Sequence, residues 1–288
     1  MASLDPQSFG SAEGVAELLH RLCGPRTRGD MQPILVYRKG ALEPDMAALP
    51  QEFPLNLTVN GREIATLVAS PHDLRFLVAG FLRLQGFAES MEDFLMLSVC
   101  QDSGIASVQV REALPARLKP FLTSGCGTGV TFSIPQAQRT KGPIQPGSGS
   151  RFSPDAVFEA MDKLAGRAEN YKLHGGIHSA ALAAADGALL LYAEDIGRHN
   201  TIDRIAGEAL IRGVDTTGRM LVTSGRVSSE MAAKAALLGI SLVASRTSPT
   251  DMAMRICTES GITLAGYVRR KEFIVYSHHE GLIISPRD

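Results

Sequence analysis

Arg198, Arg226 and Arg246 each follow a short apolar run and precede a helical pattern. Helix N-termini offer unpaired N–H groups, and the guanidinium fork matches phosphate oxygens. Three such loops imply a pocket for a phosphorylated or pyrophosphate-bearing molecule. The segment GYVRRKEF places Arg269, Arg270 and Lys271 beside Tyr267. It reads either as a solvated basic strand end or as a phosphate clamp with an aromatic surface for a base. A different chemistry is offered by Cys126 in FLTSGCGTGVTFSI (121–134). Its flanking glycines allow backbone N–H groups to gather round a thiolate and lower its pKa. A tight turn with an incidental cysteine is the other reading.

The arginine loops also hold Glu194, Asp195, His199, Ser228 and Ser248. Arg198 could pair with Glu194 or Asp195 instead of a ligand, and Ser248, Pro249 and Asp251 make a capping-box start. His174 and His178 are four apart, a spacing that can bind metal on a helix. Two glycines between them favour a loop or a helix beginning, and no HExxH glutamate accompanies them, so structural or site-lining roles are preferred over zinc. A Cys–His hydrolase would need Cys126 to meet His199 or His178. Without a GxxxxGKS/T loop or a strand-bound GxGxxG, ATPase and dinucleotide dehydrogenase readings are weak.

The elements that must position these residues follow from periodicity. ALLLYA (188–193), MLVTS (220–224), ISLVAS (240–245) and ITLAGYV (262–268) alternate with helical patterns, the signature of βαβ units and a mostly parallel sheet. Ligands meet such sheets at the carboxyl ends of the strands, where the arginine loops would lie. SPDAVFEAMDKLAGRAENY opens this lobe as a helix, with Ser153 as cap, Pro154 in the first turn, and a stripe of Val157, Phe158, Met161, Leu164, Ala165 and Ala168. Upstream the period changes. PILVYR (33–38) predicts a strand, and Asn60-Gly61 predicts a tight hairpin. Residues 70–87 predict a helix capped by Ser70, with Pro71 and Asp73 in its first turn and Leu74, Leu77, Gly80, Phe81 and Leu84 on one face. Strands at 93–101 and 106–112 complete a small α+β portion, with Cys100 expected to be a buried structural thiol. The chain thus divides into an extension (1–30), an α+β lobe holding the Cys126 loop (31–138), a Gly/Pro/Ser-rich connection (139–152) and an α/β lobe (153–288). A short helical pattern at 14–24 holds His20 and Cys23.

Composition narrows the function classes. A length of 288 residues with 44% apolar residues supports a real core, and a net charge of −1 gives no general pull toward nucleic acid or an anionic membrane. Cys23, Cys100, Cys126 and Cys257 form no CxxC, which argues against a zinc ribbon or a thioredoxin-like motif and for free thiols in an intracellular setting. The start MASLDPQSFG is not a signal peptide, and no apolar run is long enough for a membrane span.

Several of these pieces together resemble the FdhD family, sulfurtransferase accessory proteins of formate dehydrogenase maturation. They are VNG (59–61), SPHDLRFLVAGFLRLQGF, the Cys126 loop, GGIHSAAL, EDIGRHNTIDRIAG, TSGRVSSEMAAKAALLGI and GITLAGYVRRKEFIVYS, spread over residues 33–280. EDIGRHN with SGRVSSEM is the specific combination. The resemblance implies a C-terminal three-layer α/β/α lobe of the cytidine-deaminase-like kind and a smaller N-terminal α+β lobe. Deaminase chemistry is not implied, since the HxE and PCxxC metal constellation is missing. It implies that Cys126 accepts sulfur from a cysteine desulfurase as a persulfide and delivers it to the molybdenum bis-guanine-dinucleotide cofactor, bound as substrate, for apo-formate dehydrogenase. It further implies cofactor contacts at Tyr267, Val268, Arg269, Arg270, Lys271 and Glu272, with Arg198 and Arg226 on the pyrophosphates, and His199 or Asp195 orienting groups or handling protons. A cytoplasmic homodimer without a protein-ligated metal is the expected form. Two departures stand out: Gly129 replaces the second cysteine of the family loop, and His174 stands where threonine is common. A non-catalytic chaperone that holds the cofactor or the apo-dehydrogenase is the competing reading.

Overall fold

In the computed structural model, which describes residues 31–114, 120–122, 130–132 and 150–284, the first lobe is built from hairpins. β1 (Met31–Arg38) and β2 (Ala41–Ala48) form an antiparallel ribbon. β3 (Phe53–Val59) and β4 (Arg62–Ala69) are joined by Asn60 and Gly61, with φ of 49° and 77°. Both residues tolerate the left-handed region that a two-residue hairpin turn demands, as their pairing predicts. α1 (Leu74–Gln85), β5 (Phe94–Cys100) and β6 (Ile105–Val110) follow. A short antiparallel pair, β7 (Pro120–Leu122) with β8 (Val130–Phe132), comes next. The main sheet has the order β4-β3-β6-β5, with β3 and β6 parallel. Leu74, Leu77 and Phe81 of α1 pack on Leu55, Leu57 and Val108 of the sheet, while Leu84 reaches the core of the second lobe.

Two expectations fail in this lobe. α1 begins after Asp73, which takes φ 45° and makes no side-chain cap. Ser70 is not its cap because the Ser70 hydroxyl accepts from the N–H of Ile196, 3.1 Å away. Cys100 is exposed rather than buried, because it ends β5 at the open edge of the sheet.

The second lobe opens with α2 (Pro154–Arg167), where Ser153 accepts from the N–H of Ala156 at 3.1 Å as its sequence predicts. Val157, Met161, Leu164 and Ala168 are buried, but Ala160 lies in the buried stripe and Ala165 faces solvent. The remaining elements are α3 (Glu169–His174), β9 (His178–Ala183), β10 (Leu189–Asp195), α4 (Arg198–Arg212), β11 (Met220–Thr223), α5 (Ser229–Leu237), β12 (Leu242–Ser245), α6 (Asp251–Ser260), β13 (Thr263–Arg269) and β14 (Glu272–Ser277).

The sheet order is β10-β9-β11-β12-β13-β14, and only the β11–β12 and β12–β13 pairs are parallel. The sheet is therefore mixed, not mostly parallel. The reason is local. β9 and β10 are joined through Asp186 and Gly187, with φ 82° at the glycine, and β13 and β14 through Arg270 and Lys271. Links this short join only antiparallel neighbours, whereas a parallel pair needs a crossover. Helices cover both faces. Ile202 and Ile205 of α4, Met231 of α5 and Cys257 of α6 pack on Leu182, Leu221 and Val243. On the other face Val157, Met161 and Leu164 of α2 meet Ala181, Val222 and Leu242. No helix among the described residues is long and apolar enough to cross a membrane.

Candidate functional site

Glu194 and Asp195, expected in a loop, are the buried last residues of β10. Glu194 accepts from Asn170 Nδ2 at 2.7 Å and from the N–H groups of Asn170 and Tyr171, and so holds the N-terminal turn of α3. Asp195 welds the lobes together. Its Oδ2 accepts from Arg204 at 2.9 Å (Nε) and 2.7 Å (Nη2) and from the N–H of Ser70 at 3.2 Å. Its Oδ1 accepts from Gly197 N and Asn200 Nδ2, both at 2.8 Å. Arg204 also donates to the carbonyls of Ser70 and His72, and Asn200 to that of Val68. A charge pair taken out of water is tolerable only when its remaining donors and acceptors are satisfied, and here they are satisfied by first-lobe backbone. Asp195 is fully buried, and both of its carboxylate oxygens are taken up by these bonds.

Beside this weld α1 crosses α4 at Gly80 and Gly207. A Cβ on Gly80 would run into the backbone of Asp203, and one on Gly207 into that of Phe76. The two glycines let the helices touch along their backbones.

The loops that carry Arg198, Arg226 and Arg246 do share one end of the sheet. Asp195 pairs with His178, Thr223 with Ser245, and Ala244 with Ala265, so β9 begins where β10, β11 and β12 end. His178 is thus the first residue of a strand, not part of a loop or helix beginning. Loops 224–228 and 246–250 run side by side through Val227 N to Ser248 O (3.3 Å) and Thr250 N to Val227 O (2.9 Å). The N–H of Tyr267 reaches Thr247 O at 3.1 Å and ties in β13. A Cβ on Gly225 would stand 3.0 Å from that of Arg198 and 3.3 Å from His178 Nδ1, so these three pack closely. The arginines differ in state: Arg226 and Arg246 are exposed, while Arg198 is buried in the first turn of α4. Burial and the neighbouring Arg198 lower the pKa of His178. Thr250, rather than Ser248, caps α6, accepting from the N–H of Ala253 at 3.2 Å.

The basic end of β13 is strained. Tyr267, Arg270 and Lys271 take φ of 54°, 52° and 61°. An L-residue with a Cβ is disfavoured there by about 1–2 kcal/mol. Arg270 and Lys271 form the hairpin turn, a place where Asn-Gly is the usual solution. The register slips between Gly266 and Arg269, and Arg269 lies over the Tyr267 ring at 5.6 Å. Tyr267, Arg269, Arg270, Lys271 and Glu272 are exposed; Val268 is 1% exposed and packs in the core, so only its backbone faces this end. Positive charge and an aromatic face presented on a strained turn fit an anionic ligand with a planar group.

Beneath the loops lies a buried polar cluster. Lys234 Nζ is 2.7 Å from Asp203 and 3.1 Å from Glu230. His199 Nε2 is 2.9 Å from Ser228 Oγ and 3.8 Å from Glu230. Burial lowers the His199 pKa to about 4, with Lys234 and Arg198 adding to the effect against the pull of Glu230. The imidazole is therefore neutral near pH 7 and pinned to Ser228, which also caps α5. This contact ties the 224–228 loop to α4. Asn200, Asp203, Arg204, Glu230 and Lys234 escaped the sequence reading; the available signal was polar residues recurring on the inward face of α4 and α5.

Cys126, Gly129, His20, Cys23 and the 139–149 stretch lie outside the described residues, and His174 ends α3. Among the described residues no three His, Cys, Asp or Glu side chains group as metal ligands.

Comparison with known proteins covers the same ground. Residues 50–283 match the model of the FdhD/NarQ family. The chain is 36% identical over 257 residues to the sulfur carrier protein FdhD of Geobacillus kaustophilus, covering 88% of this chain and 97% of that protein. It is 34% identical over 248 residues to the sulfur carrier protein FdhD of Bacillus subtilis, covering 85% and 94%. A crystal structure of a proposed formate dehydrogenase accessory protein from Desulfotalea psychrophila superposes with a TM-score of 0.73 at 25% identity, over 89% of this chain and all of the other.

Proposed function

The chain belongs to the FdhD/NarQ family, and from that membership we propose that it moves sulfur from a cysteine desulfurase to the molybdenum bis-guanine-dinucleotide cofactor of formate dehydrogenase. Its sulfur-transfer role in formate dehydrogenase maturation rests on similarity along nearly the whole length of the FdhD sulfur carriers, which is the observation that carries the reading. We read the C-terminal lobe as cytidine-deaminase-like, supported by its mixed sheet between two helical layers. The division at 139–152 between the lobes belongs to the same reading.

Cys126 is the carrier. Its thiolate attacks the outer sulfur of the donor persulfide, the donor S–S bond breaks, and the donor leaves as a thiolate. The new Sγ–S bond holds the sulfur until it is handed on. Tyr267, Arg269, Arg270, Lys271 and Glu272, with the backbone of Val268, hold the guanine dinucleotide. Arg226 and Arg246 meet the pyrophosphates, and Arg198 acts from below by shaping the floor of that end. The partners are the desulfurase and apo-formate dehydrogenase, in the cytoplasm, with no nucleic acid and no membrane. Gly129 favours a second reading, a holding chaperone, since no second loop cysteine stands three residues after Cys126.

Intact-protein mass after incubation with a cysteine desulfurase and cysteine, followed by peptide mapping, separates the two. The carrier gains one reducible sulfur on Cys126, and Cys126→Ala abolishes the gain while still binding guanine nucleotide. Absence of that gain, with nucleotide binding intact, leaves the chaperone.

A further inference from the structure

A cleft of about 320 Å³ opens beside β10, the outermost strand of its sheet, and neither the three arginine loops nor the β13–β14 turn lines it. Its walls come from both lobes: the start of α1, the α2–α3 junction, Tyr192 of β10, and the face of α4 that carries Arg204, Glu208 and Arg212. Two of its guanidinium groups lie on aromatic rings, Arg167 at 5.1 Å from the centre of Tyr192 and Arg212 at 5.5 Å from that of Phe76. A guanidinium stacked by its face keeps its N–H edge for an acceptor in its own plane. Arg212 gives part of that edge to Glu208 Oε1 at 3.0 Å. Arg167 makes no ion pair with any described carboxylate.

Glu208 is the counterpart. It is 8% exposed, and only its Oε1 is engaged; Oε2 accepts no hydrogen bond among the described residues. Burial raises its pKa against the pull of Arg212, Asp73 adds to the rise, and Arg167 opposes it. A carboxylate withdrawn from water with one oxygen unmatched calls for a donor of positive charge.

We propose that this cleft binds a free α-amino acid, with its carboxylate on the Arg167 fork and its ammonium on Glu208 Oε2. The charges decide the class. Arg204 is taken up by Asp195 and first-lobe backbone, and Glu194 by Asn170 and the start of α3. What remains on the walls is Arg167 and Arg212 against Glu208, Asp73 and Glu169. A lone anion such as phosphate would meet three carboxylates, and a bare cation two guanidinium groups. A molecule that carries both signs is matched at both ends. At about 320 Å³ the cleft is at the lower end of ligand-pocket sizes, room for one small molecule and too little for a dinucleotide. Because both lobes line it beside the Arg204–Asp195 weld, an occupant holds the two together and stabilises the whole fold. The proposal is independent of the sulfur-carrier reading.

Thermal denaturation of the full chain with each common L-α-amino acid at about 10 mM, followed by calorimetry on the strongest, tests it. At least one amino acid raises the midpoint. Its amide and its N-acetyl derivative, each lacking one of the two charges, bind about tenfold more weakly or worse. Arg167→Gln and Glu208→Gln each weaken the parent amino acid by about the same factor. Arg167 is exposed, so its variant keeps the fold, and far-ultraviolet circular dichroism checks the buried Glu208→Gln. No shift with any amino acid, an amide or acetylated form that binds as well as the parent, or full affinity in Arg167→Gln would overturn the assignment.

Discussion

Arg204 of α4 and Asp195 of β10 stand 2.7 Å apart with side chains 2% and 0% exposed, and the same guanidinium grips the backbone of the first lobe at Ser70 and His72. Removing either partner strands a buried charge, which typically costs about 3–5 kcal/mol. Asp195→Asn and Arg204→Met are expected to lower stability by about that amount, as read by urea denaturation. A loss below 1 kcal/mol would mean that the pair is not the weld described above.

Gly207 offers a second test of the same junction. Gly207→Ala drives a methyl into the Phe76 carbonyl region of α1. Overpacking of this kind costs about 1–3 kcal/mol or more. Because the clash is with backbone, no rotamer change relieves it, and Gly80→Ala should behave alike. Gly166, where a Cβ meets nothing, is the control; there alanine leaves the thermal midpoint unchanged or raises it.

His199 gives a pH dependence with a definite sign. Its pKa is about 4 in the folded chain against 6.5 as the ordinary value, because burial disfavours the charged ring. The unfolded chain therefore binds the extra proton first as pH falls, and stability is lost between about 6.5 and 4. Burial pushes Asp203 up to about 6, which acts in the opposite sense over part of this window. The informative quantity is thus the difference between wild type and His199→Gln. The variant should lose less stability on acidification than the wild type, measured by denaturation at pH 7, 5.5 and 4.5; equal losses would show that His199 does not remain neutral in the fold.

The strained turn of β13–β14 separates stability from binding. Lys271 holds φ 61°, where glycine is free of the Cβ penalty, so Lys271→Gly should raise stability by about 1 kcal/mol. It also removes a charge from the proposed clamp. Guanosine diphosphate affinity, followed by calorimetry, should fall several-fold for Lys271→Gly and at least tenfold for Arg269→Glu with Arg270→Glu. Persulfide loading of Cys126 should be unaffected in both. Unchanged nucleotide affinity would remove this turn from the site.

What the sequence made legible was periodicity and local turn chemistry. Asn60-Gly61, the Ser153 cap and the strand–helix alternation after residue 188 depend on neighbours a few positions away, and the structure reproduces them. Ser70 shows where that reasoning stops. Its surroundings satisfy every local rule for a helix cap, yet its hydroxyl serves Ile196, 126 positions away. Strand direction failed for a related reason: apolar runs report burial, while direction is set by links such as Asp186-Gly187, a two-residue hairpin signal. In the candidate site the exposed arginines were readable by type and spacing. The buried groups, Asp203, Lys234 and Glu230, were not, because a charged residue on a helix looks solvated until its partner helix is in place.

The segment by which this chain is most readily recognised, EDIGRHN, spends Asp195, Ile196 and Asn200 on joining one half of the molecule to the other. On the proposed mechanism, recognition and competence are therefore written in different places. A sister chain that kept this segment and lost Cys126 would still assemble the same scaffold and still be sorted with the family, yet would lack the proposed carrier thiol. A census of such genomes by motif would count scaffolds, and the proposed mechanism makes the 121–134 loop the place to look for those that carry sulfur.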